Sequence, residues 1–429
     1  QGPAERQLGA CDTAGATGAV THQVADSSWG PQPVTASTLR AIPIISMSCR
    51  SKFRASRVAI LLLVGLTLPA TLAAGTKLYE NQLLGAVDSL LVGDHRQALA
   101  QIQQLLVLNP DSRLGYLVHA DLLAAQAGLE KPIDALAGRN DQGLLQSLRK
   151  QLLARWRFAT DLKAERAGRI PARLALHSQS EPDLIYVDLP ASRLYLFSYR
   201  DGTLEATANY YVSIGRNGTG KQRKGDRKTP VGIYHITSYI PGKNLHQRYG
   251  SGALPISYPN PLDRLKQRTG HGIWLHGTEP GWVNRSPRAT DGCVSLSNSD
   301  FEQLYQALGK PFATPVIIDD QPEWVTATAE NERNPEFPGI LDRWYGTWQR
   351  RAPTSLLEFY TDPEQSVLFD TTATDRNTRL VDTALYSYPG EIGHMLAILR
   401  FSKGNDQTRT VHQYWKRQSD KDWKIISET

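Results

Sequence analysis

The spacing of apolar residues changes after the first part of the chain. Between Lys77 and about Glu165 apolar side chains recur every three or four positions, which is typical of amphipathic helices. A polar break at residues 109–112 interrupts this pattern. From Pro182 apolar and polar residues alternate, as in 184–189 and 194–199, which indicates β-strands. The pattern therefore predicts a helical segment followed by a mainly β segment.

A third segment begins after Pro322. Residues 331–338 are polar and contain prolines, which is typical of a linker, and residues 340–360 place Leu341, Trp344, Tyr345 and Trp348 on one helix face. Strand-like runs follow at 385–388, 394–402, 409–418 and 423–427. The predicted fold is multidomain: a small all-α domain at 76–170, a mainly β domain at 180–320 and a cone-shaped α+β domain at 335–429.

The helical segment contains one unit that resembles a tetratricopeptide repeat, running from Gly93 through Leu108 and Pro110 to Leu123. A second clear copy is not evident, and about three such units are usual for a solenoid. We therefore predict a small domain with one repeat-like hairpin.

The first 75 residues have features of a targeting segment. A basic stretch follows Met47, an apolar core spans 58–68, and small residues continue to Gly75. This order is typical of a secretory signal peptide at 47–75, with cleavage after Ala73 and a periplasmic mature protein. An uncleaved membrane anchor is the alternative interpretation. Residues 1–46 are interpreted as upstream or non-native sequence.

The cysteine count draws attention to one thiol. The chain has Cys11, Cys49 and Cys293, and removal of the predicted signal would leave Cys293 without an internal disulfide partner. A leftover thiol in an exported protein indicates reactivity. The formal charge of +6, with a pI near 9.1, suits an anionic polymer or membrane surface. No aromatic-basic motif supports nucleic-acid binding.

A nucleotide site is not predicted, although residues 215–221 match the spacing of a phosphate-binding loop. Gln222 stands where a Ser or Thr would bind magnesium, and a strand rather than a helix follows. The loop instead carries basic residues such as Lys221, which are expected either to meet substrate carboxylates or to be solvated. No metal-ligand spacing is convincing, and we expect no cofactor.

Around residue 290 the pattern favours nucleophilic chemistry. An apolar run ends at His276 and Gly277, and a turn-rich loop leads to Asp291, Gly292 and Cys293 before a second apolar run. This layout is able to place an imidazole beside a thiol at the edge of a sheet. An imidazolium next to a thiol stabilises the nucleophilic thiolate.

Residues 182–320 resemble the L,D-transpeptidase (YkuD-like) catalytic domain. The resemblance is carried by separate motifs in the expected order, at 187–189, 194–197, 212–215, 225–234, 255–260, 276–278 and 290–294. One departure is Ser295, where many members have an arginine. With the third segment, the chain resembles a subgroup that has a nuclear transport factor 2 type domain and includes cell-shape-determining L,D-carboxypeptidases.

The resemblance implies cysteine-dependent acyl transfer on peptidoglycan tetrapeptide stems. It implies Cys293 as the nucleophile, His276 as the base, a Gly277 carbonyl that orients the imidazole, and an oxyanion held by the Gly292 and Cys293 amides. The candidate substrate contacts are Arg288, Tyr258, Trp274 and Thr290. A carboxypeptidase and a non-catalytic cell-wall binding module, with protein partners at the helical and C-terminal domains, are the alternatives.

Overall fold

The computed structural model describes residues 71–129, 142–200, 202–326, 334–350, 352–362, 378–403, 407–419 and 422–429. The predicted upstream segment lies outside these residues, as does the predicted signal peptide apart from 71–75. Within the described residues, no helix combines the length and the apolar character needed to cross a membrane.

The first described part is helical, as the three- and four-residue spacing predicts. Its helices are α1 (Thr71–Leu91), α2 (His95–Leu108), α3 (Arg113–Gln126), α4 (Gln142–Arg157) and the short α5 (Lys163–Arg166), with one π-helical turn at Phe158–Leu162. The polar break separates α2 from α3. Ser112 caps α3 by accepting the Gly115 amide at 2.9 Å, which stabilises the new start.

The mainly β part contains a five-stranded sheet of β3 (Asp183–Asp188), β4 (Arg193–Arg200), β5 (Thr203–Tyr211), β7 (Gly232–His235) and β13 (Pro315–Asp319). The strand order is β5-β4-β3-β13-β7, and within this sheet only β3 and β13 are parallel neighbours. Every residue of β3 and β13 is buried, because both faces of the sheet are covered.

A second sheet carries the segments on either side of residue 290. Its order is β12-β10-β9-β8, with β8 (Ile240–Pro241), β9 (Gly252–Pro255), β10 (Trp274–His276) and β12 (Val294–Ser295). The strands β6 (Ile214–Gly215) and β11 (Arg288–Thr290) pair beside it, and the helices α6 (Pro261–Leu265) and α7 (Asn298–Ala307) pack nearby. β10 and β12 are parallel, with His276 opposite Ser295.

The C-terminal part is α+β, as predicted. It contains α8 (Phe337–Gln349), α9 (Pro353–Leu357) and a sheet of β15 (Thr378–Ser387), β16 (His394–Lys403), β17 (Gln407–Ser419) and β18 (Asp422–Glu428). The short strand β2 (Leu174–Leu176) joins its edge by pairing with β15, and β1 (Arg169–Pro171) pairs with β14 (Trp324–Thr326). The multidomain fold class is thus confirmed.

The mainly β and C-terminal parts share an aromatic core. Tyr186 and Phe197 of the first sheet lie in one apolar cluster with Tyr386 and Tyr414 of the C-terminal sheet. At the edge of this contact, Arg268 forms an ion pair with Glu391 at 2.5 Å. The two sheets therefore pack as one body at this face.

Candidate active site

His276 ends β10 and is almost fully buried. Its Nδ1 lies 2.6 Å from the carbonyl oxygen of Gly277. A carbonyl oxygen only accepts, so Nδ1 carries the proton and Nε2 is left as the unprotonated nitrogen. The Tyr249 ring packs edge-on against the imidazole, with ring centroids 5.1 Å apart. The histidine is held in one orientation, with its basic nitrogen available for proton transfer.

Gly277 is required by close packing. A Cβ at this position would lie 2.2 Å from Oδ1 of Asn298, which accepts the amides of Ser251 and Thr278 at 3.0 Å each. Asn298 therefore ties the segment that follows β10 to the residue that precedes β9. Any side chain at 277 would displace it.

Ser295 contributes a contact that the sequence did not indicate. Its hydroxyl donates to the Gly277 carbonyl oxygen at 3.0 Å, so this oxygen accepts from both the serine and the imidazole. The parallel pairing of β10 with β12 brings the two residues together. Ser295, at the position where many members of the resembled family have an arginine, thus fixes the carbonyl that orients His276.

Cys293 lies at the turn that precedes β12. It is only 4% exposed, and its sulfur lies 3.4 Å from the Gly272 carbonyl oxygen. The Thr290 hydroxyl donates to the Cys293 carbonyl oxygen at 2.6 Å and accepts the Gly292 amide at 3.1 Å. Thr290 therefore holds the turn closed, and the Gly292 amide is already engaged there.

Gly292 occupies a backbone conformation that favours glycine, with φ at 127°. A Cβ would also meet the Lys228 carbonyl oxygen at 2.7 Å. Both constraints explain why a glycine precedes the cysteine.

Cys293 and His276 line one cavity of about 510 Å³. This volume is within the range of roughly 300–1,000 Å³ that is usual for sites that hold a single small ligand. The other residues that line the cavity are Leu144, Ser147, Leu148, Arg216, His246, Gln247, Arg248, Tyr249, Glu279, Trp282, Arg285, Ser286, Ala289, Thr290 and Asp291. Three arginines and two carboxylates are among them, and two of the arginines are ion-paired within the wall: Arg216 with Asp291 at 2.9 Å and Arg285 with Glu279 at 2.6 Å.

Burial, and next the positive charge of Arg285, lower the pKa of His276 to about 3. The imidazole is therefore neutral near pH 7. The sequence led us to expect a resting imidazolium beside the thiol, and the structure instead favours a neutral base that takes the thiol proton during attack. Arg285 itself forms an ion pair with Glu279 at 2.6 Å.

The structure does not bring all of the predicted substrate contacts to the cavity. Thr290 lines it, whereas Arg288 is exposed, beside Gly218. Tyr258 is buried in the core, where its hydroxyl donates to the Thr269 carbonyl oxygen at 3.1 Å. Trp274 packs against Tyr249, with ring centroids 4.9 Å apart. Arg216, Arg248 and Arg285 are instead the cavity's arginines, and only the tertiary structure places them there.

The helical part also forms a wall of the cavity. Leu144, Ser147 and Leu148 of α4 line it together with the cysteine. Aromatic residues of the C-terminal domain lie elsewhere: Trp344 is fully buried in the C-terminal core, and Tyr414 lines a separate cavity of about 400 Å³.

The basic loop at 215–228 is ordered by an acidic residue. The buried Lys221 forms an ion pair with Asp226 at 2.8 Å, and Asp226 also accepts the backbone amides of Gln222 and Arg223. Lys221 is therefore not available to a substrate. Among the described residues, no three His, Cys, Asp or Glu side chains cluster as metal ligands.

A histidine and a cysteine that line one cavity at the edge of a sheet are the residue types that thiol-dependent acyl transfer uses. Residues 182–318 match the family of L,D-transpeptidase catalytic domains, YkuD, and these residues are a domain of that family. The family predicted from the motifs is confirmed. The chain thus carries the catalytic domain of a family of peptidoglycan-modifying enzymes.

Solved structures resemble the chain at low identity. Bd1075 of Bdellovibrio bacteriovorus shares 22% identity with a TM-score of 0.49, over 61% of this chain and 97% of that chain. Pgp2 of Campylobacter jejuni, a helical cell shape determining protein, shares 20% with a TM-score of 0.48, over 60% and 95%. An L,D-transpeptidase of Xylanimonas cellulosilytica shares 19% with a TM-score of 0.22, over 32% and 60%. No curated protein matches the chain.

Proposed function

We propose that the protein is a cysteine-dependent L,D-transpeptidase that acts on the tetrapeptide stems of peptidoglycan, outside the cytoplasm. The observation that carries the proposal is that Cys293 and the Nδ1-protonated His276 line one cavity within a domain of this family. Arg216, which is partly exposed in its ion pair with Asp291, and Arg248 are proposed to bind the carboxylates of the stem.

In the proposed first half-reaction, the sulfur of Cys293 attacks the carbonyl carbon between the L-centre of diaminopimelate and the terminal D-Ala. The thiol proton moves to Nε2 of His276 and then to the D-Ala nitrogen as the C–N bond breaks. The product is a thioester. We assign the developing oxyanion to the Cys293 amide, because the Gly292 amide donates to Thr290.

In the second half-reaction an acceptor attacks the thioester carbon, and His276 takes the acceptor's proton. The sulfur leaves and regains that proton, which restores the free thiol. An amine of a second stem as acceptor gives a cross-link, and water gives a tripeptide.

A second candidate, L,D-carboxypeptidase activity, is favoured by the position of α4. Leu144, Ser147 and Leu148 occupy one wall of the cysteine cavity, and its volume suits one stem rather than two. Water reaches such a site more easily than a second stem. We also propose that the protein belongs to the cell-shape subgroup, which its motifs resemble, and that it is periplasmic, as the predicted signal peptide implies.

Incubation of the purified protein with tetrapeptide muropeptides tests both candidates. Cross-linked dimers with released D-Ala support the transpeptidase. Tripeptides without dimers at high substrate concentration contradict transfer and support the carboxypeptidase. A protein that gives neither product and forms no covalent adduct with a penem contradicts the enzyme assignment.

A further inference from the structure

The loop between the proposed base and the proposed nucleophile is anchored to the helical part of the chain. This connecting loop, residues 277–287, runs from β10 to β11. Three consecutive residues contact the helices. The Arg113 guanidinium lies 3.8 Å from the centroid of the Trp282 ring, Val283 packs against the helical core, and Asn284 accepts a hydrogen bond from Arg155.

Arg155 of α4 is the centre of this contact. It is 2% exposed, and its Nη2 donates to Oδ1 of Asn284 at 2.6 Å. Its Nη1 lies 3.3 Å from Glu80 of α1, and its guanidinium stacks 4.1 Å from the Tyr211 ring centroid. A buried arginine with this many partners has one stable position, because moving it would leave charges unpaired in a dry environment.

Further hydrogen bonds connect the Arg155 contact to the surroundings of His276, the proposed base. Tyr211, under the Arg155 guanidinium, donates its hydroxyl to the Arg285 carbonyl oxygen at 3.1 Å. The Arg285 side chain then binds Glu279 and the Arg248 carbonyl oxygen, both beside the cavity. Arg155 and Tyr211, which stack on each other, therefore hold the consecutive residues Asn284 and Arg285.

We propose that Arg155 is a positioning residue of the active site, which holds the connecting loop through Asn284 and Tyr211 so that Arg285 and Glu279 stay in place beside His276. The helical part is then a component of the catalytic site rather than an attached module. Ordering a loop has an entropic cost for every residue, so an unanchored loop would often leave this geometry unformed. The kinetic part of the proposal rests on the proposed function.

The test uses the full chain with substitutions at the loop side of the contact. Asn284→Ala removes the acceptor, whereas Asn284→Asp keeps an oxygen for Arg155 and makes the bond charge-assisted. Arg149→Ala is the matched control, because Arg149 is on the same helix and forms an ion pair with Asp121 of α3 at 3.0 Å. The readouts are the rate of Cys293 alkylation by iodoacetamide from pH 5 to 9, kcat and KM on tetrapeptide, and thermal unfolding.

We expect Asn284→Ala to slow alkylation and kcat by ~10- to 100-fold, with a changed pH profile and an intact fold, since small displacements at a site have effects of this size. In Asn284→Asp the alkylation rate and kcat should return to within a few-fold of those of the unsubstituted protein. Arg149→Ala should have the same values as the unsubstituted protein. An unchanged rate and pH profile in Asn284→Ala would overturn the proposal, as would failure of Asn284→Asp to recover. If the unsubstituted protein does not turn over muropeptides, the proposed function fails, while the alkylation series still decides the role of Arg155.

Discussion

The hydroxyl of Ser295 donates to the carbonyl oxygen of Gly277 at 3.0 Å, and the same oxygen accepts from His276. Residues of two parallel neighbouring strands, β10 and β12, therefore hold one imidazole in place. Ser295 has a structural role of its own, because it supports the carbonyl group that sets the tautomer of the base.

Ser295→Ala should lower kcat/KM by roughly fivefold, because a buried hydrogen bond contributes about 1 kcal/mol. Steady-state kinetics on tetrapeptide muropeptides measure the effect. Ser213→Ala is the control, since Ser213 is also buried and its hydroxyl has no hydrogen-bond partner among the described residues. Equal losses in both variants would contradict a role for the Ser295 contact.

Cys293→Ala should abolish turnover, with a loss of at least about a thousandfold, while the protein stays folded. The residue is 4% exposed, so the substitution should cost on the order of 1 kcal/mol of stability. Muropeptide digestion with circular dichroism checks both statements. Measurable turnover by this variant would refute the mechanism.

The pH dependence of the reaction should lack a limb near pH 6.5. The pKa of His276 is lowered to about 3, so the base is active above this value and is lost only as pH falls through it. The unfolded imidazole has a pKa of about 6.5, so His276 stabilises the fold fully above that pH and less as pH falls towards 3.

Arg285→Gln should move the acid limb of the pH profile to higher pH. The substitution removes the positive charge that, after burial, lowers the pKa of His276, while burial remains. The rate of Cys293 alkylation between pH 4 and 8 follows the change. An acid limb at pH 6.5 in the unsubstituted protein would show that His276 is not held neutral.

Glu80 should stabilise the joint between the helical and mainly β parts. Burial by itself raises its pKa, but Arg193 and Arg155 lower it overall to about 2 from 4.5. The stabilisation is therefore complete above about pH 4.5 and is lost as pH falls through 2. Glu80→Gln should cost about 3 kcal/mol at pH 7 in urea unfolding, and clearly less at pH 3. The same free energy of unfolding in both proteins at pH 7 would contradict this.

The sequence by itself determined the type and order of the elements. Spacing of three and four predicted the helices, alternation predicted the strands, and the break at 109–112 predicted the boundary between α2 and α3. Local turn chemistry also placed His276 at a strand end and Cys293 after a glycine turn. Element type, element order and turn positions depend on residues that are close together along the chain, and the sequence pattern records those residues directly.

Tertiary structure alone decided what surrounds the thiol. Arg155, Asn284 and Tyr211 are far apart in sequence, and only folding brings them to one contact. The low pKa of His276 arises from burial and from Arg285, neither of which a periodic pattern shows. Tyr258 lies in the core, and α4 forms the cavity wall, because packing between domains sets which side of each element meets a neighbour.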